Sequence, residues 1–343
     1  RPLADGGEGT MESLCYAHEA VSRPVTVTGP LGTSVTASYA VSGRTAILDM
    51  ASACGLVLVP KELRDPMKTT TRGLGELILA AAEEGCRDFL IGIGGSATND
   101  GGAGMLAALG ISLLDPDGRP IPDGAQGLRS LQRIDTGTLA PVLRDCRFRI
   151  ICDVTNPLCG KSGASFVYGP QKGADPAMCE ELDSLLGRFA AMTEAALPED
   201  AAAPAADTPG AGAAGGLGFA FLAFLGGQLL RGIDIVLTET RLADYLQGAD
   251  MLLTGEGRID RQTAFGKAPA GAAALAKKYG LPVIAFAGML KVSEEDARLL
   301  REAGIDECCV ITPPDMPHET AKQPAVARAN MAAAAEHRFR LPL

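Results

Sequence analysis

The last hundred residues carry the pattern that restricts the fold most. Helical stretches alternate there with short apolar runs: a helix around 239–247, a strand at Met251-Leu252-Leu253, and a helix over 267–278. A strand at Val283-Ile284-Ala285-Phe286, a helix over 294–303, a strand at Cys308-Cys309-Val310-Ile311 and a helix over 321–336 complete the series. Such alternation predicts a parallel, doubly wound sheet. Residues 25–50 obey a different rule. Val25 and Val27, then Val35, Ala37, Tyr39 and Val41, then Ala46 and Leu48 repeat with period two between turns at Gly29-Pro30 and Ser42-Gly43. That is the signature of an antiparallel meander. The chain has 343 residues, more than the roughly 250–300 that a single core serves, so two α/β domains are expected.

Between these regions, Leu74, Leu77, Ile78 and Ala81 share a helical face that Gly85 ends. Phe89-Leu90-Ile91 is a short strand, and Met105, Leu106 and Leu109 belong to the next helix. Residues 115–127 are rich in turns, 180–197 read as a helix and 198–216 as a loop. Phe148 to Cys152 is a strand that delivers Asp153 at its carboxyl end. Gly210–Leu230 has no charge and the length of a membrane span, yet seven of its 21 positions are Gly. A buried helix behind a glycine-rich loop is the expectation, with no membrane association.

Three glycine-bearing loops carry the chemistry. Gly92-Ile93-Gly94-Gly95-Ser96-Ala97 follows a strand and satisfies G-x-G-x-x-A, with Asp115 about twenty residues on. A dinucleotide site needs a helix to begin at once, whereas Thr98-Asn99-Asp100-Gly101-Gly102 intervenes, which favours a nest of N–H groups for an anion. Thr155 to Ser162 departs from a Walker A loop at its first position, and Pro157 removes one N–H donor. Gly255 to Lys267 packs Glu256, Arg258, Asp260, Arg261, Gln262, Thr263 and Lys267 just past a strand end, where such sheets bind ligands. Asp5-Gly6-Gly7-Glu8-Gly9-Thr10 has the same make-up before a helix.

Composition removes several function classes. The net charge of −10 offers no basic field for nucleic acid or an anionic membrane. Nine cysteines, an odd number without a Cys-x-x-Cys pair, fit reduced thiols in a cytoplasmic protein. Histidines occur only at 18, 318 and 337, none beside a glycine-rich loop, so a His-dependent triad is hard to build. Carboxylates with a metal and cationic clamps are what the residues allow, and that is equipment for phosphoryl transfer.

Several stretches, in order along essentially the whole chain, resemble the bacterial-type glycerate kinases of the glycerate 2-kinase class. They are Ala4 to Thr10, Gly92 to Gly102 (GIGGSATNDGG), Cys152 to Gly160 (CDVTNPLCG), Tyr168 to Gly173 (YGPQKG), Gly210 to Gly218 and Gly255 to Lys267 (GEGRIDRQTAFGK). The resemblance implies ATP-dependent, Mg2+-requiring phosphorylation of D-glycerate, typically to 2-phosphoglycerate. It also implies a flavodoxin-like (Rossmann-like) domain, here 1–22 with 236–343, and an inserted α/β domain of restriction-endonuclease-like topology, here 23–235. The family's first strand and helix, opening on a motif like Pro-Asp-Ser-Phe-Lys-Gly-Ser-Leu, have no counterpart here, so the chain is expected to be part of a longer product.

On that resemblance, Mg-ATP and glycerate are expected to meet in the interdomain cleft. Asp153, Asp260 and Lys267 are the expected catalytic residues, with Asp153 and Glu256 as metal ligands. Asp5, Gly6, Gly7, Glu8, Gly94, Gly95, Ser96, Asn99, Asp100, Asn156, Lys172, Arg258 and Thr263 are expected to contact substrate or phosphate. Arg72 is expected to pair with the glycerate carboxylate. No nucleic-acid or membrane partner is expected, and a homo-oligomer is compatible with the reading. The rivals are an NAD(P)-dependent oxidoreductase acting through Gly92–Ala97 and a non-catalytic small-molecule-binding remnant of the kinase fold.

Overall fold

The computed structural model describes residues 2–4, 9–197 and 206–340. The chain forms two compact units, Gly6–Gly232 and Arg1–Asp5 with Ile233–Leu343.

The Gly6–Gly232 unit opens with α1 (Thr10–His18). β1 (Val21–Thr28), β2 (Ser34–Ser42) and β3 (Thr45–Asp49) then form the expected meander, antiparallel with Val21 opposite Val41 and Ser42 opposite Thr45. Gly43, at φ 58°, makes the two-residue turn between β2 and β3. The short α2 (Ala51–Cys54) and α3 (Arg72–Glu83) follow. Leu74, Leu77, Ile78 and Ala81 of α3 are fully buried, as their spacing predicts. Next come β4 (Asp88–Gly92), α4 (Ala103–Ala108), the two-stranded β5 (Ser112–Leu114) and β6 (Arg133–Asp135), and β7 (Arg147–Ile151). α5 (Ala164–Tyr168), α6 (Pro176–Ala196), α7 (Ala213–Leu225) and β8 (Gln228–Leu230) complete the unit.

The main sheet runs β1-β2-β3-β4-β7-β8, and β3, β4, β7 and β8 are mutually parallel. The meander therefore feeds a parallel sheet, a feature the period-two pattern does not reveal. Phe89 stacks on Phe148 with centroids 5.0 Å apart, and Phe221 of α7 lies 6.1 Å from Phe148. The apolar stretch around 210–230 is thus core, and among the described residues no helix is long and apolar enough to cross a membrane. α1 belongs to this unit rather than with residues 236–343: it packs on β3, and the Ser42 hydroxyl donates to His18 O at 2.6 Å.

The second unit contains α8 (Gly232–Glu239, which crosses the boundary), α9 (Leu242–Leu246), β9 (Leu252–Asp260) and α10 (Ala268–Lys277). β10 (Val283–Lys291), α11 (Glu294–Glu302), β11 (Glu307–Val310), α12 (His318–Ala321) and α13 (Pro324–Phe339) follow. The sheet order is β11-β10-β9, all parallel, as the alternation predicts. β9 and β10 run well beyond the apolar cores that announce them. Gly255 to Asp260 is strand, paired from Val283 opposite Leu252 to Lys291 opposite Asp260. Inter-strand pairing overrides the weak β-propensity of glycine here. A Cβ on Gly288 would lie 2.7 Å from Gly257 O, so the close strand approach needs the glycine.

Candidate active site

Ligands of open α/β sheets bind beyond the carboxyl ends of the parallel strands. In the Gly6–Gly232 unit those ends deliver Asp49 from β3, Gly92 to Ser96 from β4, Cys152 to Asn156 from β7 and Arg231 from β8. The β4 loop is fixed from several sides. Leu56 N donates to Gly95 O at 2.8 Å, Ala97 N to Cys54 O at 3.0 Å, and the Thr69 hydroxyl to Ala97 O at 2.8 Å. Gly101 N donates to Gly215 O at 2.9 Å. Only its tip, Gly94-Gly95, is exposed, and a Cβ on Gly94 would meet nothing within 4 Å.

Behind the tip the expected ligand-binding residues are buried. Asp100 is fully enclosed and accepts from Thr71 N and Oγ1 at 2.9 Å each, Gly102 N at 3.1 Å and Gly104 N at 3.2 Å. Burial raises its pKa and these donors oppose the rise. Asn99 Nδ2 donates to Ser165 Oγ at 2.9 Å. Ser96 is buried as well. Lys172, expected to face phosphate, is 1% exposed and donates from Nζ to Thr98 O at 2.6 Å. Desolvation lowers its pKa to about 7, against the pull of Asp100 and Cys54. These groups build the loop from below. The loop also disagrees with a dinucleotide fingerprint, because α4 starts only at Ala103 and Asp115 binds its own turn at Asp117 N and Arg119 N.

Asp153 is exposed just past β7, and its Oδ1 accepts Gly232 N at 2.9 Å. Asn156 spends its amide within its own loop, donating to Ser162 O at 2.7 Å and accepting from the Tyr168 hydroxyl at 2.7 Å. Arg72 already has a carboxylate partner: Nε and Nη2 donate to Asp123 at 2.7 and 2.8 Å, at the wall of a cavity of about 270 Å³. Asp49 was not among the expected residues, because the meander reading gave the end of β3 no role. Its signal was the one that marked Asp153, an acid closing an apolar run. Asp49 Oδ1 accepts Ala51 N at 3.0 Å. Burial raises its pKa, Ala51 N opposes, and Glu12 of α1 adds to the rise.

In the second unit the structure gathers Glu256, Arg258, Asp260 and Thr263. Arg258 grips Asp260 Oδ2 through Nε at 2.9 Å and Nη2 at 2.6 Å. Asp260 Oδ1 accepts Gln262 N at 2.9 Å, and the Thr263 hydroxyl donates to Glu256 Oε1. The Arg258 hydrogen bond, with Gln262 N and Lys267 assisting, holds the Asp260 carboxyl below the usual carboxylate range. A cleft of about 1070 Å³ opens on this end of the sheet, lined by Gly255, Glu256, Arg258, Phe286, Thr312 and Lys322 among others. Among the described residues no three His, Cys, Asp or Glu are grouped to hold a metal. The cysteines are free thiols. Asp5, Gly6, Gly7 and Glu8 lie outside the described residues.

The model of the "Glycerate kinase family" matches residues 1–342. A "Glycerate 2-kinase" of Escherichia coli (strain K12) is 51% identical over 307 residues, 89% of this chain and 79% of the relative. A "Glycerate kinase" of Halalkalibacterium halodurans is 47% identical over 324 residues, 94% of this chain and 83% of the relative. A crystal structure of a protein described as a candidate glycerate kinase 2, from Salmonella typhimurium LT2, superposes with a TM-score of 0.84 at 46% identity, covering 99% of this chain and 89% of the other. The chain belongs to the glycerate kinase family.

Proposed function

We propose that this phosphotransferase moves the γ-phosphoryl group of ATP to D-glycerate in the cytoplasm and yields 2-phosphoglycerate. The observation that carries the reading is the 51% identity to a relative named glycerate 2-kinase, spread over 89% of the chain. The site chemistry supports it. The exposed Gly94-Gly95 tip offers backbone N–H groups to an anion. Within the Ile233–Leu343 unit, Arg258 and Lys267 are assigned to phosphate oxygens and Glu256 to the magnesium ion. Mg2+ usually takes one or two carboxylates plus the substrate's phosphates. When bound, the ion neutralises charge building on the transferred phosphoryl group. In this reading 1–22 with 236–343 is the flavodoxin-like domain and 23–235 the inserted domain of restriction-endonuclease-like topology.

Asp260 suits charge balance better than proton transfer, because Arg258 and the Gln262 N–H keep it ionised. Arg72 is committed to Asp123, so a role toward the glycerate carboxylate requires exchange of that partner. ADP release measured by a coupled assay tests the function. Release that depends on both ATP and D-glycerate is expected. ATP hydrolysis indifferent to D-glycerate, or none, would refute it.

A further inference from the structure

Asp49 ends β3 in register with Gly92 of β4, and Gly92 is in register with Ile151 of β7. Register partners in a parallel sheet share a face. The face here is that of α1: a Cβ on Gly92 would lie 3.3 Å from Met11 Sδ, and Glu12 acts on Asp49. At about 4.8 Å per strand, the Asp49 and Asp153 main chains stand on the order of 10 Å apart, with the β4 loop between them. One side of Asp49 is walled by α1, and Ala51, whose N–H donates to Asp49, adjoins the tip: a Cβ on Gly95 would lie 3.7 Å from the Ala51 Cβ. Among the described residues the carboxylate takes only Ala51 N, on Oδ1, which leaves its second oxygen for a ligand.

The other carboxylates near strand ends are committed to different work. Asp100 is enclosed by four hydrogen bonds from Thr71, Gly102 and Gly104. Asp260 is gripped by Arg258, and Asp153, which accepts the Gly232 N–H, is the expected metal ligand. We propose that Asp49 is the catalytic carboxylate that accepts the proton of the substrate hydroxyl, beside the Gly94-Gly95 tip. This rests on the phosphoryl-transfer reading above. The hydroxyl oxygen bonds to the γ-phosphorus of the nucleoside triphosphate while its proton passes to Asp49. The bond from that phosphorus to the β,γ-bridging oxygen breaks, its electron pair leaves with the diphosphate, and Asp49 then returns the proton to solvent.

Asp49→Asn keeps an acceptor for Ala51 N and so retains the local fold. Its kcat with ATP and D-glycerate is expected to fall about 10²–10⁴-fold, with KM for ATP unchanged and the melting temperature preserved. Asp49→Glu is expected to restore part of the rate. Glu12→Gln removes the like charge facing Asp49, so the acidic limb of the kcat/KM profile should move to lower pH; Cys54, the other titratable neighbour, is buried and neutral. A folded Asp49→Asn enzyme within about tenfold of wild-type kcat would overturn the role of Asp49 alone. A wild-type chain without any turnover would instead overturn the functional reading, and the Asp49 role with it.

Discussion

At 1% exposure, the Lys172 ammonium has left water for the company of a carbonyl, a buried carboxyl and a thiol. Its pKa falls from 10.5 to about 7, so between those values the unfolded chain binds the extra proton. Stability should therefore rise with pH across that window through Lys172. Lys172→Met should remove this component: the wild-type minus variant unfolding free energy should climb from about pH 7 and level off near 10.5, as read by urea titrations at a series of pH values. A flat difference would show that the amine is not desolvated. A lysine in the run Gly169-Pro170-Gln171-Lys172-Gly173 looks like a surface cation in the sequence, and only packing beneath the β4 loop reveals otherwise. Asp153 was legible because an acid closes an apolar run. Asp49 closes another, but its strand was read as part of a meander.

The head of α7 holds three successive left-handed residues, Ala214, Gly215 and Gly216, and this turn presses on the β4 loop. At Gly215, φ is +70° and a Cβ would sit 2.2 Å from Thr98 O. Gly226 is also left-handed, at +59°, but a Cβ there meets nothing within 4 Å. Gly226→Ala should thus cost about 1–2 kcal/mol, the penalty of a left-handed alanine, and Gly215→Ala clearly more. Equilibrium urea unfolding of the pair checks the ordering; equal losses would mean that the contact with Thr98 relaxes freely. Periodicity located most helices of both units because their buried faces repeat cleanly, as in α3. It failed at the carboxyl halves of β9 and β10, where Gly255, Gly257 and Gly288 carry no pattern and the partner strand dictates the conformation. The Gly255 to Lys267 stretch consequently presents its charges from a strand and the turn that follows, not from a loop.

At the scale of the whole molecule, the sequence distinguished two regions by their periods, 2 and 3.6, and the fold answers with a mixed sheet in one unit and a parallel sheet in the other. Within the Gly6–Gly232 unit, α1 is held by β3 and by Ser42. A ligand that binds only the folded chain stabilises it by about 2.7 kcal/mol at a hundred times its dissociation constant. ATP with Mg2+ should raise the melting temperature accordingly, while NADH should leave it unchanged; the reverse would favour the oxidoreductase reading. 31P NMR of the reaction with ATP, Mg2+ and D-glycerate reads which hydroxyl of glycerate takes the phosphoryl group. The 2-phosphoglycerate resonance should grow in step with ADP. A 3-phosphoglycerate resonance would contradict the assigned product, and the absence of any phosphoglycerate would contradict phosphoryl transfer to glycerate.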